Sequence, residues 1–175
     1  MKLCVYGSLA EPKRSDWTVQ AAQLGRELAQ RGHTFVFGGG GTDLLGRAAQ
    51  AALEAGGELL AVVRTDSTWE TPLPGRYPKV TADGYRQRKQ RMEELADGFL
   101  ILPGGIGTLD ECVETLILES RWKPTVLWNL DGYYDGLRDF FCRAKAEGLL
   151  SQQWDVAPWF CEKAEEIWAA LERMR

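Results

Sequence analysis

Apolar residues along the chain come in two alternating textures. Short unbroken runs occupy Leu3–Gly7, Thr34–Phe37, Leu59–Val63, Phe99–Leu102 and Thr125–Trp128, each bounded by glycine, proline or charge. Runs of this length without polar alternation predict strands buried on both faces. Between them, apolar positions recur at helical spacing. Asp16 to Arg31 puts Val19, Leu24 and Leu28 on one face and stops at Gly32, and the alanine-rich Leu44 to Ala55 stops at Gly56 and Gly57. Glycine is a common helix stop because it enters left-handed backbone without strain. Further helices are predicted over Tyr85 to Ala96, Leu109 to Arg121, Tyr134 to Glu147, and from Glu162 to the C-terminus.

Strands alternating with helices in this way predict an α/β fold, a doubly wound and mostly parallel sheet with helices on both faces. Ligands of such sheets bind beyond the carboxyl ends of the strands, so the strand-to-helix turns are where function is sought. The stretch Thr65 to Pro78 carries Pro72, Pro74, Gly75 and Pro78 without periodicity and reads as a loop bordering a pocket. No repeat or linker interrupts the chain. The tryptophans of the C-terminal third, Trp122, Trp128, Trp154, Trp159 and Trp168, read as core or subunit contact.

Composition narrows the classes. At 175 residues and 45% hydrophobic content the chain can bury one good core but is short for two, so residues 1–175 are expected to form a single domain. A formal net charge of -4 argues against nucleic-acid or membrane-surface partners, which require a broad basic face. Small anions need only a local cluster of cations and amides. Cys4, Cys112, Cys142 and Cys161 form no CxxC pair, and with the single His33 they offer no zinc constellation. The apolar run near the start is too short for a signal-peptide core, so a reduced, cytoplasmic setting is expected.

Three turns carry candidate chemistry. After the strand ending at Leu102 comes Pro103-Gly104-Gly105-Ile106-Gly107-Thr108-Leu109-Asp110-Glu111. Glycines there let backbone N–H groups converge on an anion at a helix start, as for a phosphate. The bland alternative is a tight turn whose glycines only permit close packing. The turn Phe37-Gly38-Gly39-Gly40-Gly41-Thr42-Asp43 follows the same logic, and in a parallel sheet both open on one edge, so together they are placed to embrace a phosphoribose. Gly7-Ser8-Leu9-Ala10 ends a third strand there and is placed to line the base or sugar.

Glu111 has two readings. Thr108-x-x-Glu111 spells a capping box, in which Glu111 folds back on the Thr108 amide. A carboxylate beside a phosphate loop is also placed to stabilise a ribosyl cation or to position water. The segment Tyr85 to Met92 opens a helix with Arg86, Arg88, Lys89 and Arg91. Cations at a helix start oppose its dipole, a conflict that a nearby anion relieves. For Lys89 and Arg91 taken singly, a solvated face is the simpler reading.

Taken together, Pro103-Gly104-Gly105-x-Gly107-Thr108-x-x-Glu111, Arg88-Lys89 and the Gly38-Gly39-Gly40 turn resemble the LONELY GUY (LOG) family over roughly the first 135 residues. The resemblance implies a Rossmann-like fold and a homodimer or larger homo-oligomer. It also implies release of the base from cytokinin riboside 5'-monophosphates, leaving ribose 5-phosphate; many members once carried a lysine decarboxylase label. By position it makes Arg88 and Glu111 catalytic. Gly104, Gly105, Gly107 and Thr108 become the phosphate grip, and Gly39, Gly40 and Lys89 further phosphate or substrate contacts. The chain departs from the family at Tyr85-Arg86, where Met-His is usual, and in Gly41-Thr42-Asp43-Leu44-Leu45-Gly46.

The expected reaction is therefore hydrolysis of the N-glycosidic bond of a purine nucleoside 5'-monophosphate, with no cofactor and no metal. Two rivals stand beside it. One is a non-catalytic nucleotide-binding or carrier protein that keeps the phosphate loops. The other makes Lys89 a Schiff-base lysine for pyridoxal phosphate, although spacing identifies no acidic partner for that cofactor's ring nitrogen.

Overall fold

The computed structural model describes residues 1–41, 43–66, 72–118, 123–151 and 160–173. Its framework is one seven-stranded sheet, parallel throughout, in the order β4-β3-β2-β1-β5-β6-β7. The strands are β1 (Lys2–Tyr6), β2 (Thr34–Phe37), β3 (Leu59–Arg64), β4 (Lys79–Ala82), β5 (Gly98–Ile101), β6 (Thr125–Trp128) and β7 (Phe160–Cys161). The helices are α1 (Ser15–Gln30), α2 (Leu44–Glu54), α3 (Gly84–Leu95), α4 (Ile106–Leu118), α5 (Asp135–Ala146) and α6 (Ala164–Arg173).

Strand period two divides the core between the faces of the sheet. Leu3, Val5, Phe35, Phe37, Leu100, Leu102, Val126 and Trp128 pack against α1, α2 and α6. Their alternates Cys4, Tyr6, Val36, Val62, Phe99, Ile101 and Leu127 pack with Met92 of α3, Cys112 and Leu116 of α4, and the partly buried Leu137 and Phe141 of α5. On the first face α1 and α2 approach closely at Gly25, where any β-carbon would overlap the carbonyl of Ala48.

The predicted doubly wound sheet is what the chain forms, with three corrections. The apolar face of α1 is Trp17, Ala21, Leu24, Gly25 and Leu28, while Val19 is 66% exposed. Val19 sits five residues before Leu24, too far around a 3.6-residue turn to share its stripe. Two edge strands, β4 and β7, join the five predicted. The loop reading of Thr65 to Pro78 holds where residues are described, except that Pro72 bridges Gly40 in an antiparallel contact. Trp128 and Trp168 are core, each 3% exposed, whereas Trp122, Trp154 and Trp159 lie outside the described residues.

The strand order reverses between β1 and β5, which lead to α1 and α4. In open sheets of this kind a crevice forms at that point, beyond the carboxyl ends of the strands.

Candidate active site

At the reversal the turn after β5 faces the turn after β1, joined by a bond from the Ser8 amide to the Pro103 carbonyl at 3.1 Å. The turn is held from a second side by consecutive tyrosines. Tyr134 donates its hydroxyl to the Leu102 carbonyl at 2.7 Å, and Tyr133 to that of Gly104 at 2.8 Å. They reach it because Asp131 takes a positive φ of 50° and Asn129 accepts the Tyr134 amide at 2.6 Å. Gly105 gives its carbonyl to Leu109 at 3.0 Å, the first bond of α4. Every carbonyl from Leu102 to Gly105 thus already accepts a hydrogen bond. The next three amides, of Ile106, Gly107 and Thr108, precede that first helical bond and aim out of the helix start.

This geometry removes the capping box. Gly105 is the residue whose carbonyl takes the first helical bond, so it stands at the cap and Thr108 lies inside the helix, 5% exposed. Thr108 packs instead on Gly104, where a β-carbon would overlap its hydroxyl. Glu111 is left without the role of folding back to a cap.

A cavity of about 450 Å³ lies over these residues, within the roughly 300 to 1,000 Å³ usual for small-molecule sites. Gly105 lines it from the turn, Gly107, Thr108 and Glu111 from α4, and Tyr85, Arg88 and Lys89 from α3. Arg88 is 7% exposed, and its Nε donates to the Val62 carbonyl at 3.2 Å. Its guanidinium rests on Gly38, where a β-carbon would overlap a terminal nitrogen. One member of the basic run is therefore an interior cation aimed across the sheet end.

Burial pushes the Glu111 carboxyl up to about 7; Arg88 and then Lys89 pull the other way, while Asp110 and Glu114 add to the rise. Lys89 bridges α3 to α4 through Asp110, at 2.8 Å, and Glu114. Burial opposes its charge, yet those hydrogen bonds hold its pKa above the ordinary lysine value.

The sequence-predicted residues thus separate. Arg88, Lys89, Gly105, Gly107, Thr108 and Glu111 meet at one cavity, and Gly104 supports its floor from a neighbouring hollow shared with Trp17 and Tyr133. Gly39 and Gly40 are not among the residues lining it; from their turn only Gly38 is. Gly39 has φ of 91° and sits against Val63, and its carbonyl takes the Leu73 amide at 3.1 Å. The lining also includes Tyr6, Leu45 and Met92, which read as ordinary core in the sequence and give no signal there. Among the described residues no cluster of three or more His, Cys, Asp or Glu is placed to hold a metal, and no helix is long and apolar enough to cross a membrane.

Comparison with known proteins bears on the family and the fold. Residues 45–171 match the family model described as "Possible lysine decarboxylase". The chain is 33% identical over 155 residues to the cytokinin riboside 5'-monophosphate phosphoribohydrolase LOG of Oryza sativa subsp. japonica, covering 86% of this chain and 64% of that one. It is 36% identical over 160 residues to LOG7 of Arabidopsis thaliana, covering 86% and 71%. It therefore spans less than two thirds of the rice protein's length. Among solved structures, the molybdenum cofactor carrier protein MCP of Chlamydomonas reinhardtii superposes with a TM-score of 0.71 at 20% identity, over 99% of this chain and 98% of that one. The molybdenum cofactor binding protein of Rippkaea orientalis gives 0.67 at 20% identity, over 99% and 94%. At these identities the likeness speaks for the fold.

Proposed function

The chain belongs to the LOG family of cytokinin riboside 5'-monophosphate phosphoribohydrolases, and from that premise we propose that it hydrolyses a purine nucleoside 5'-monophosphate, with or without an N6 substituent, to free base and ribose 5-phosphate. The observation that supports it best is the meeting of Arg88 and Glu111 beside a turn with only N–H groups to offer.

In this reading the amides of Ile106, Gly107 and Thr108 hold the 5'-phosphate, at the positive end of α4. Arg88, pinned by Val62 and Gly38, positions the substrate. As the bond from C1′ to the base nitrogen stretches, its electron pair leaves with the base and positive charge grows on the ribose. Ionised Glu111 stabilises that charge and orients the water that adds to C1′. The water's proton passes to Glu111 and then to the departing base, which a carboxyl titrating near 7 is suited to do. Lys89 shapes this wall and keeps α3 on α4; its two carboxylate partners leave it poorly suited to a Schiff base.

The test is incubation with AMP, followed by chromatography for adenine, with adenosine as control. We expect adenine from AMP and little from adenosine, since a plain nucleoside leaves the turn's amides unpaired. Equal turnover of both defeats the phosphate grip, and a thermal shift without adenine marks a carrier.

The same proposal includes a homodimer or larger assembly in the cytoplasm, where all four unpaired thiols would stay reduced. Support for assembly comes from α4, where Ile106, Val113, Ile117 and Leu118 are 85%, 37%, 60% and 52% exposed, an unusual apolar display for one helix. Light scattering that gives only 19.6 kDa at micromolar concentration counts against it.

A further inference from the structure

Tyr85 lines the cavity three residues before Arg88, on the same face of α3. Its ring does not stand alone. Arg64, at the end of β3, places its guanidinium carbon 3.8 Å from the ring centroid, and its Nε donates to Asp66 at 2.9 Å. Arg64 is 7% exposed and Tyr85 55%. The ring is thus covered on one face by a cation that a carboxylate holds in place, and much of the rest is open.

Among the described residues, no other large side chain of the cavity combines these properties. Tyr6 is 1% exposed, with its hydroxyl taking the Thr115 hydroxyl at 3.4 Å; Met92 is likewise 1% exposed, and Leu9 is open but aliphatic. A clamped aromatic ring with a free face is suited to stacking, because little of its freedom remains to be lost when a flat ligand arrives. The cation also draws ring electron density toward itself, so the free face better receives an electron-rich purine.

We propose that Tyr85 is the platform on which the substrate's purine stacks, with Arg64 as the positioning residue that fixes the ring. This rests on the nucleotide reading above. With the phosphate at the start of α4 and the reacting carbon between Glu111 and Arg88, the leaving base extends along α3 toward Tyr85. Stacking reads the π-face that every base has and leaves the edges unread. Tyr85 therefore supplies affinity for a purine while tolerating substituents at N6, and it does so at a position where the family usually carries methionine.

Calorimetric titration with AMP and with ribose 5-phosphate tests this, in a Glu111→Gln background so that AMP persists. Tyr85→Ala is expected to weaken AMP roughly ten- to a hundredfold, in line with the loss of one base-aromatic stack, and to leave ribose 5-phosphate within about twofold. Tyr85→Phe should keep most of the AMP affinity and all of that for ribose 5-phosphate, since the stack uses the ring while the side-chain hydrogen bond to Arg64 only adds to the clamp. Arg64→Met should weaken AMP alone, by less, and Arg64→Lys should restore it. Unchanged AMP binding in Tyr85→Ala, or equal losses for both ligands, overturns the platform. Ribose 5-phosphate binding as tightly as AMP in the parent overturns the platform and leaves the phosphate grip standing. A parent that binds neither ligand overturns the nucleotide reading and the platform with it.

Discussion

Around the turn after β2, glycine makes room for the protein itself. A β-carbon at Gly38 would run into Arg88, one at Gly41 would come 2.5 Å from the Leu73 backbone, and one at Gly46, in the first turn of α2, would overlap Gly41. In the turn after β5 only Gly104 is packed in that way, against Thr108. Gly105 and Gly107 have nothing within 4 Å of where a β-carbon would stand, and both border the cavity. Similar residues in similar places between strand and helix therefore do different work. In the first turn, small size lets neighbours close in; in the second, Gly105 and Gly107 leave the cavity wall open. Glycine count alone does not separate the two turns, but the space around the glycines does.

That contrast can be broken by substitution. The largest effect is expected at Glu111, next along α4 from the open turn. Glu111→Gln should lower AMP hydrolysis by at least about a hundredfold while phosphate-dependent binding persists. In the parent, kcat/KM should rise with pH through about 7 as Glu111 ionises, a step the variant lacks. A variant with wild-type turnover and an unchanged pH profile would falsify the catalytic assignment.

Next comes Gly38→Ala, which moves Arg88 without removing it. Turnover should fall by about tenfold or more with the fold intact, since a displacement of about 1 Å already costs this much in a positioned site. Retention of full activity would show that Arg88 works from elsewhere. Smaller again is a paired comparison by chemical denaturation and phosphate titration. Gly41→Ala should cost about 1–3 kcal/mol through overpacking against Leu73, with residual folded protein still binding. Gly107→Ala should do the reverse, gaining about 0.5–1 kcal/mol of helix stability and losing phosphate affinity. Matching effects in the pair would erase the distinction between the turns.

The subtlest test is the stability of Glu111→Gln against pH. The folded protein keeps a proton on Glu111 up to about 7, whereas the unfolded chain releases it near the ordinary glutamate value of 4.5. Between those values the native state binds more protons, so the wild type loses stability as pH rises. The glutamine variant avoids that loss. The two should be equally stable near pH 4 and differ by about 1–3 kcal/mol near pH 8, with the variant ahead. Identical urea midpoints at both pH values would show that the carboxyl is not desolvated.

Much of this arrangement is legible in the sequence because the central strands are buried on both faces and carry no polar alternation. The edges hide better. Strand β4 exposes Lys79 and Thr81 directly after Pro78, and β7 has only two residues, so neither carries an apolar run. Motif spacing locates Glu111 and the glycine turns, but it cannot tell that the helix begins at Ile106, and so it offers a capping box that does not form. Arg88 is hidden among Arg86, Lys89 and Arg91, since only the direction of α3 relative to the sheet separates the interior cation from its neighbours. The partnership of Arg64 with Tyr85 joins residues 21 positions apart across β4, and no local pattern announces it.

The filled carbonyls of the turn after β5 have one more consequence. Tyr134, Ser8, Tyr133 and Leu109 take the acceptors of Leu102, Pro103, Gly104 and Gly105 in turn. What remains without a partner in the turn is the set of amides at the start of α4, like an electrode poised positive without a formal charge. On the proposed reading, an oxyanion would meet amide hydrogens already oriented by the start of α4, while a ligand rich in donors would find each carbonyl of the turn already engaged. That selectivity would be lost by unlatching one tyrosine, which would give the turn back an acceptor and make it indifferent to the sign of what approaches.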